Sequence, residues 1–165
     1  PFSKAVLAKW VCSEEEMVTT EWATSADGKL SLRLMMPKTP LVLEGRGTVL
    51  LGELRNNTDG PIDVVRPFTF SCNFDISGPE GPVTQYLGVD LRFLGPASYA
   101  TIPAGRSIRD VGSAHLDNHA GDSVPGTYTV TFNYKDQNAA ARSDASLPDL
   151  WVGEITSEPI TIEKR

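Results

Sequence analysis

The clearest pattern in the chain begins at Pro125-Gly126, where a turn gives way to strict alternation. Tyr128, Val130, Phe132 and Tyr134 share one face, and Thr127, Thr129, Thr131 and Asn133 share the other. A period of two filled with aromatic and β-branched residues predicts a half-buried strand. Weaker copies of the pattern recur upstream. Leu30, Leu32 and Leu34 alternate with Ser31 and Arg33 until Pro37 and Pro40 interrupt them. Thr48 to Arg55 puts Leu50, Gly52 and Leu54 on one side. The run Asn56-Asn57-Thr58-Asp59-Gly60-Pro61 then turns the chain into Ile62 and Val64, a hairpin signal. Phe68, Phe70, Cys72, Phe74 and Ile76 form the second strong alternation, ended by Ser77-Gly78-Pro79-Glu80-Gly81-Pro82.

The remaining segments are less regular. Val83 to Leu94 has room for one more strand before Gly95-Pro96. Thr101-Ile102-Pro103-Ala104-Gly105-Arg106-Ser107 reads as a strand end and turn leading to Ile108 and Val111. Asp110 to Asp122 reads as a polar stretch, and Lys135 to Leu150 as a long loop. Trp151 to Glu154 and Pro159 to Glu163 close the chain, with Ile160 and Ile162 alternating. Residues 1–29 stand apart from this series. There Ser13-Glu14-Glu15-Glu16 resembles a capping box and predicts a short helix from about Glu14, soon replaced by extended structure at Thr19, Thr20 and Trp22. Ala26-Asp27-Gly28-Lys29 reads as a tight turn.

Seven to nine short strands without a helical period predict an all-β, antiparallel two-sheet sandwich over residues 30–165, with residues 1–29 as an N-terminal extension packed on or preceding it. A small closed barrel is the alternative architecture. The length, 165 residues, suits one domain with a core of its own. Gly and Pro, 14 and 12 of them, fit many turns between short strands better than long helices.

Charge and chemistry narrow the picture further. A net charge of −6, with scattered Lys and Arg, argues against a nucleic-acid partner and against electrostatic attachment to anionic membrane. No apolar run approaches the roughly 20 residues of a membrane-spanning helix. The chain begins at Pro1 rather than Met, which reads as a processed, trimmed or excised product. Cys12 and Cys72 fit either one disulfide or two buried thiols. Asn56-Asn57-Thr58 is a formal glycosylation acceptor placed in a turn.

Several stretches resemble the immunoglobulin-like domains of bacterial cell-envelope and secreted proteins. Leu50 to Ile62 is similar to their strand–turn–strand unit, in which an Asn just after the strand starts the turn. Thr101-Ile102-Pro103-Ala104-Gly105 is similar to a later turn of such domains, and Pro125 to Val130 to their penultimate strand. Trp151-Val152-Gly153-Glu154 followed by Ser157-Glu158-Pro159-Ile160 is similar to their closing strand pair. The resemblance covers roughly residues 30–163 and implies an extracytoplasmic setting: periplasmic, cell-surface or secreted. It implies no catalytic residue, because such domains serve as spacers, adhesion modules, propeptides and protease inhibitors alike. The Cys…Trp…Cys pattern of antibody domains is missing.

His115-Leu116-Asp117-Asn118-His119 is the one constellation with a metal-like look: His115 and His119, four apart, with Asp117 as a carboxylate beside them. Asp110 or Asp122 can serve instead, and Asp110, Asp117, Asn118 and Asp122 together offer oxygen to calcium, without the regular Asp-x-Asp-x-Asp-Gly loop. The competing reading is solvated loop residues. No Ser lies in a Gly-x-Ser-x-Gly elbow, Cys72 sits in an apolar strand, and Glu53, Asp63 or Asp90 carry no signal without geometry. Gly45-Arg46-Gly47 is too short for a phosphate loop, so no cofactor is implied. Trp10 and Trp22 either pin the N-terminal segment to the sandwich or mark a docking surface, Trp151 lines core or interface, and Met35-Met36 pack. The expectation is a non-catalytic module contacting protein or glycan through its 110–124 and 135–150 loops. The alternatives are a protease inhibitor or propeptide using Ala139-Ala140-Ala141-Arg142-Ser143, and a metal-binding protein centred on His115 and His119.

Overall fold

A computed structural model describes residues 14–38, 42–43, 47–67, 74–83, 99–114, 116, 124–135 and 150–164. After a single 3-10 turn at Glu14–Glu16, all regular structure among them is extended. The strands are β1 (Met17–Thr19), β2 (Ala23–Thr24), β3 (Leu30–Pro37), β4 (Val42–Leu43), β5 (Gly47–Asn56), β6 (Ile62–Val65), β7 (Phe74–Gly78), β8 (Gly81–Val83), β9 (Tyr99–Ile102), β10 (Ser107–Ala114), β11 (Gly126–Lys135), β12 (Glu154–Thr156) and β13 (Ile160–Lys164). The chain is all-β, and its sheets are antiparallel. Among the described residues no helix is long and apolar enough to cross a membrane.

The first sheet runs in the order β1-β3-β5-β10, with β2 also on β3 and β4 on β5; the second runs β12-β11-β7-β8, with β13 also on β11. A short third pair, β6 with β9, extends the β5 and β10 chains past their turns. Leu150 adds a parallel bridge to Asp63, and the Trp151 amide donates to the Asp63 carbonyl at 2.8 Å, so the third pair also touches the chain entering β12.

Both sheets bury their apolar sides in one core. β11 contributes the alternating set Tyr128, Val130, Phe132 and Tyr134, all buried. Val130 lies opposite Ile76 on one side and Ile160 on the other, and Phe132 lies opposite Phe74, the two rings 5.4 Å apart. The first sheet supplies Leu30, Leu32, Leu34, Met36, Leu50 and Leu54 to the same cluster. The Tyr128 hydroxyl donates to the Val124 carbonyl at 2.7 Å, four residues upstream of the ring. Its ring has room because residue 78 is Gly: a Cβ there would lie 2.5 Å from Tyr128 Cε1.

Three expectations need correction. The polar stretch from Asp110 is strand as far as Ala114, because β10 pairs residue for residue with β5 from Ser107↔Arg55 to Ala114↔Thr48. Backbone pairing with a buried strand outweighs the poor strand propensity of Asp and Gly. β3 is not half-exposed, since Ser31 and Met35 on its other side are buried too. Met35 joins Met17 and Leu51 in a second small cluster on the face away from the main core, and Met36 enters the main core, so both methionines pack. Finally, the closing strand starts at Glu154, not Trp151. Phe68, Phe70 and the segment 84–94 lie outside the described residues.

Candidate functional site

The register of the first sheet brings charged residues into a row. Arg33 on β3 and Arg109 on β10 both lie directly opposite Glu53 on β5. Directly opposite residues of an antiparallel pair project to the same side, with Cβ atoms about 5 Å apart. All three therefore sit on the face that carries Met35 and Leu51, away from the main core. Glu53 is buried, at 3% exposure. Arg33 reaches it side-on, with Nε 2.8 Å and Nη2 2.7 Å from Oε2. Oε1 accepts the Ser107 hydroxyl and lies 3.4 Å from Arg109 Nε. The Arg33 guanidinium also lies 4.5 Å from the Trp22 ring centre, a cation–π contact that holds the 20–24 segment against the sheet.

Burial alone pushes the Glu53 carboxyl up. The Ser107 and Arg33 hydrogen bonds and the positive charges of Arg109 and Arg33 outweigh burial and hold it below the ordinary value of 4.5. A carboxylate kept ionised between two guanidinium groups is a poor proton shuttle, so this row locks three strands together. Sequence reading gave Glu53 no role; the signal was the pairing of positions 33, 53 and 109, which only the register reveals.

A second polar centre lies at the turn after β5. Asn56 is fully buried. Its Nδ2 donates to the carbonyls of Gly60 (2.7 Å) and Ile102 (2.9 Å). Its Oδ1 accepts from the amide and hydroxyl of Thr58, both at 2.8 Å. The Asn56 amide donates to the Arg106 carbonyl at 2.9 Å, so one side chain and its backbone clamp the β5–β6 turn to the β9–β10 turn. The amide nitrogen is buried and used twice, which leaves the Asn56-Asn57-Thr58 acceptor closed to glycosylation in the folded chain.

A third centre joins the turn before β3 to the chain before β12. Trp151 is buried, stacks on Tyr134 with ring centres 5.9 Å apart, and donates from Nε1 to Asp27 Oδ2 at 3.0 Å. Asp27 also accepts the Ser25 hydroxyl and the Lys29 amide. Desolvation raises its pKa, and these hydrogen bonds with the Lys29 charge bring it below 3.8. Gly28 follows at φ 73, as the Asp-Gly turn requires.

An open groove of about 480 Å3 crosses β7, β8 and β11, presenting Asp75, Ser77, Thr129 and Thr131 beside Pro82 and Val83. Among the described residues no three His, Cys, Asp or Glu gather as a metal site. His115, Asp117 and His119, Cys12 and Cys72, Trp10, Asp90, and the Ala139–Ser143 segment lie outside the described residues. The chain matches no family model and no curated protein.

Proposed function

We propose that the chain is an immunoglobulin-like β-sandwich module of an extracytoplasmic protein that works by macromolecular contact rather than by catalysis. Strand order supports the reading. β3, β5 and β10 neighbour one another in one sheet, and β13, β11, β7 and β8 in the other. The chain therefore passes from β5 to the second sheet at β7, returns beside β5 as β10, and crosses again to lie beside β7 as β11. That is the path by which immunoglobulin strands A, B and E fill one sheet and C′, C, F and G the other.

The observation that carries the reading is Tyr128. It sits near the start of β11, the counterpart of strand F, and its hydroxyl bonds back to the Val124 carbonyl. The arrangement resembles the tyrosine corner of Greek-key sandwiches, which supports the reading. The polar centres at Glu53, Asn56 and Asp27 spend their hydrogen bonds on holding strands and turns, which suits a rigid scaffold that presents contact surfaces. The extracytoplasmic setting goes with the sequence resemblance.

The test is a printed array of glycans and peptides probed with the purified chain, run beside a panel of ester, glycoside, phosphate and peptide substrates. Selective, saturable binding to one class of array feature supports the proposal. Turnover that follows the protein through repeated purification would overturn it.

A further inference from the structure

The outer face of the second sheet is set by the positions of β11 that alternate with its buried residues. Thr129 lies opposite Thr161 of β13 on one side and Ser77 of β7 on the other, and Ser77 lies opposite Pro82 of β8. Directly opposite residues project to the same side, so the four strands present one row, Thr161-Thr129-Ser77-Pro82. At the spacing of neighbouring strands the row is about 14 Å long. In the next row Thr131 lies opposite Asp75. Polar side chains around these rows are committed to one another. The Thr127 hydroxyl donates to Glu163 Oε1 at 2.8 Å, the Thr156 hydroxyl to Asn133 Oδ1 at 2.7 Å, and Asn133 Nδ2 to Asp75 Oδ2 at 2.6 Å. The hydroxyls of Ser77, Thr129, Thr131 and Thr161 make no hydrogen bond among the described residues. Ser77, Thr129, Thr131 and Asp75 line the open groove of about 480 Å3 beside Pro82, and Thr161 continues the row past it.

We infer that this groove binds a neutral polysaccharide chain. Its volume falls in the range of small-molecule sites, about 300–1,000 Å3. No Lys or Arg lines it, so it offers no charge to phosphate, sulfate or carboxylate groups, and Asp75 repels them. Ser and Thr hydroxyls each donate and accept, as sugar hydroxyls do. Asp75, oriented by Asn133 through Oδ2, keeps Oδ1 to accept from a sugar hydroxyl. Pro82 gives the C–H face of a pyranose ring an apolar surface, and a row that crosses four strands suits an extended run of rings. An extended peptide would instead gain most at a free strand edge, but β7 and β11 are each paired on both sides. The inference deepens the contact-module reading and rests on it, and it puts the contact on a sheet face rather than on the loops.

The experiment is affinity electrophoresis of the whole chain through gels holding hydroxyethylcellulose, laminarin, dextran or acidic polygalacturonate, at low and at high salt. The expected result is retardation by at least one of the neutral polymers, unchanged by salt, and none by polygalacturonate. The double variant Thr129→Val/Thr131→Val keeps side-chain shape and strand propensity but removes two hydroxyls from the groove. It should weaken binding by about tenfold or more while melting close to the parent. Thr127→Val is the control, since the Thr127 hydroxyl is committed to Glu163 and lies outside the groove, and it should bind like the parent. Failure of all three neutral polymers to retard the chain overturns the inference, and so does retardation by polygalacturonate alone; binding of a peptide on the array would still uphold the contact-module reading. Neutral-polymer binding that the double variant leaves unchanged, or that Thr127→Val weakens equally, overturns this groove as the site.

Discussion

Replacing Asn56 with Ala removes the clamp between the two turns without touching the apolar core. Four side-chain hydrogen bonds vanish: two donated to Gly60 and Ile102, and two accepted from Thr58. Each is worth about 0.5–1.5 kcal/mol net, and the site is shut to water, so the cost is about 2–4 kcal/mol. That is a large part of the total stability of a single domain, about 5–15 kcal/mol. With a urea slope of about 2 kcal/mol/M, the midpoint should fall by about 1–2 M. Asn56→Asp separates hydrogen bonding from volume. It keeps the shape and the acceptors but turns a carboxylate toward two carbonyl oxygens, so it should cost at least as much as Ala. Asn57→Ala is the control, since Asn57 is exposed and its two donated bonds reach the Gly28 carbonyl and the Ser31 hydroxyl at the surface of the turn. It should cost less than about 1 kcal/mol. The assay is urea unfolding followed by tryptophan fluorescence. A loss at Asn56→Ala no larger than at Asn57→Ala, or a mild Asn56→Asp, would refute the clamp.

Other consequences can be checked alongside. Glu53 has a depressed pKa when folded, so its ionised form contributes stability above the unfolded carboxylate value near 4.5, and that contribution disappears as pH falls through the folded value. Glu53→Gln should therefore cost about 2–3 kcal/mol at neutral pH, and the gap from the parent should narrow as pH falls below the unfolded carboxylate value of 4.5 and through the lower folded one; a gap that stays constant on acidification would contradict the argument. Tyr128→Phe loses one hydrogen bond to the Val124 carbonyl and should lower stability by about 1 kcal/mol, read from the same urea curves. Gly78→Ala drives a methyl onto the Tyr128 ring and should cost about 1–3 kcal/mol. If it is neutral, the ring does not lie where described.

β11 was legible because its aromatic and β-branched residues do two things at once: they favour extended backbone, and they mark the buried face by alternation. The turn at Asn56 was legible for a similar reason, since Asn, Asp, Gly and Pro crowd into six positions after a strand. β10 was not, because Arg109, Asp110 and Gly112 carry neither signal, and the segment is held extended by its pairing with β5. The polar side of β3 also misled. Ser31 alternates with the leucines as an outward position would, but it is buried and exchanges hydrogen bonds with Thr24 and Asn57, while Met35 on the same side packs, as expected, against Met17 and Leu51. Glu53 was invisible for a different reason. Its meaning lies in which residues stand opposite it on β3 and β10, and register between strands 20 and 56 positions apart has no local signature in the chain.

The central claim is the strand order on which the proposed immunoglobulin-like reading rests, and cross-strand backbone NOEs measured by NMR on the labelled chain test it most directly. The account predicts contacts from Leu54 to both Leu32 and Ile108, and from Val130 to both Ile76 and Ile160. Backbone NOEs that join β5 directly to β7, or that place β10 beside β11, would contradict it.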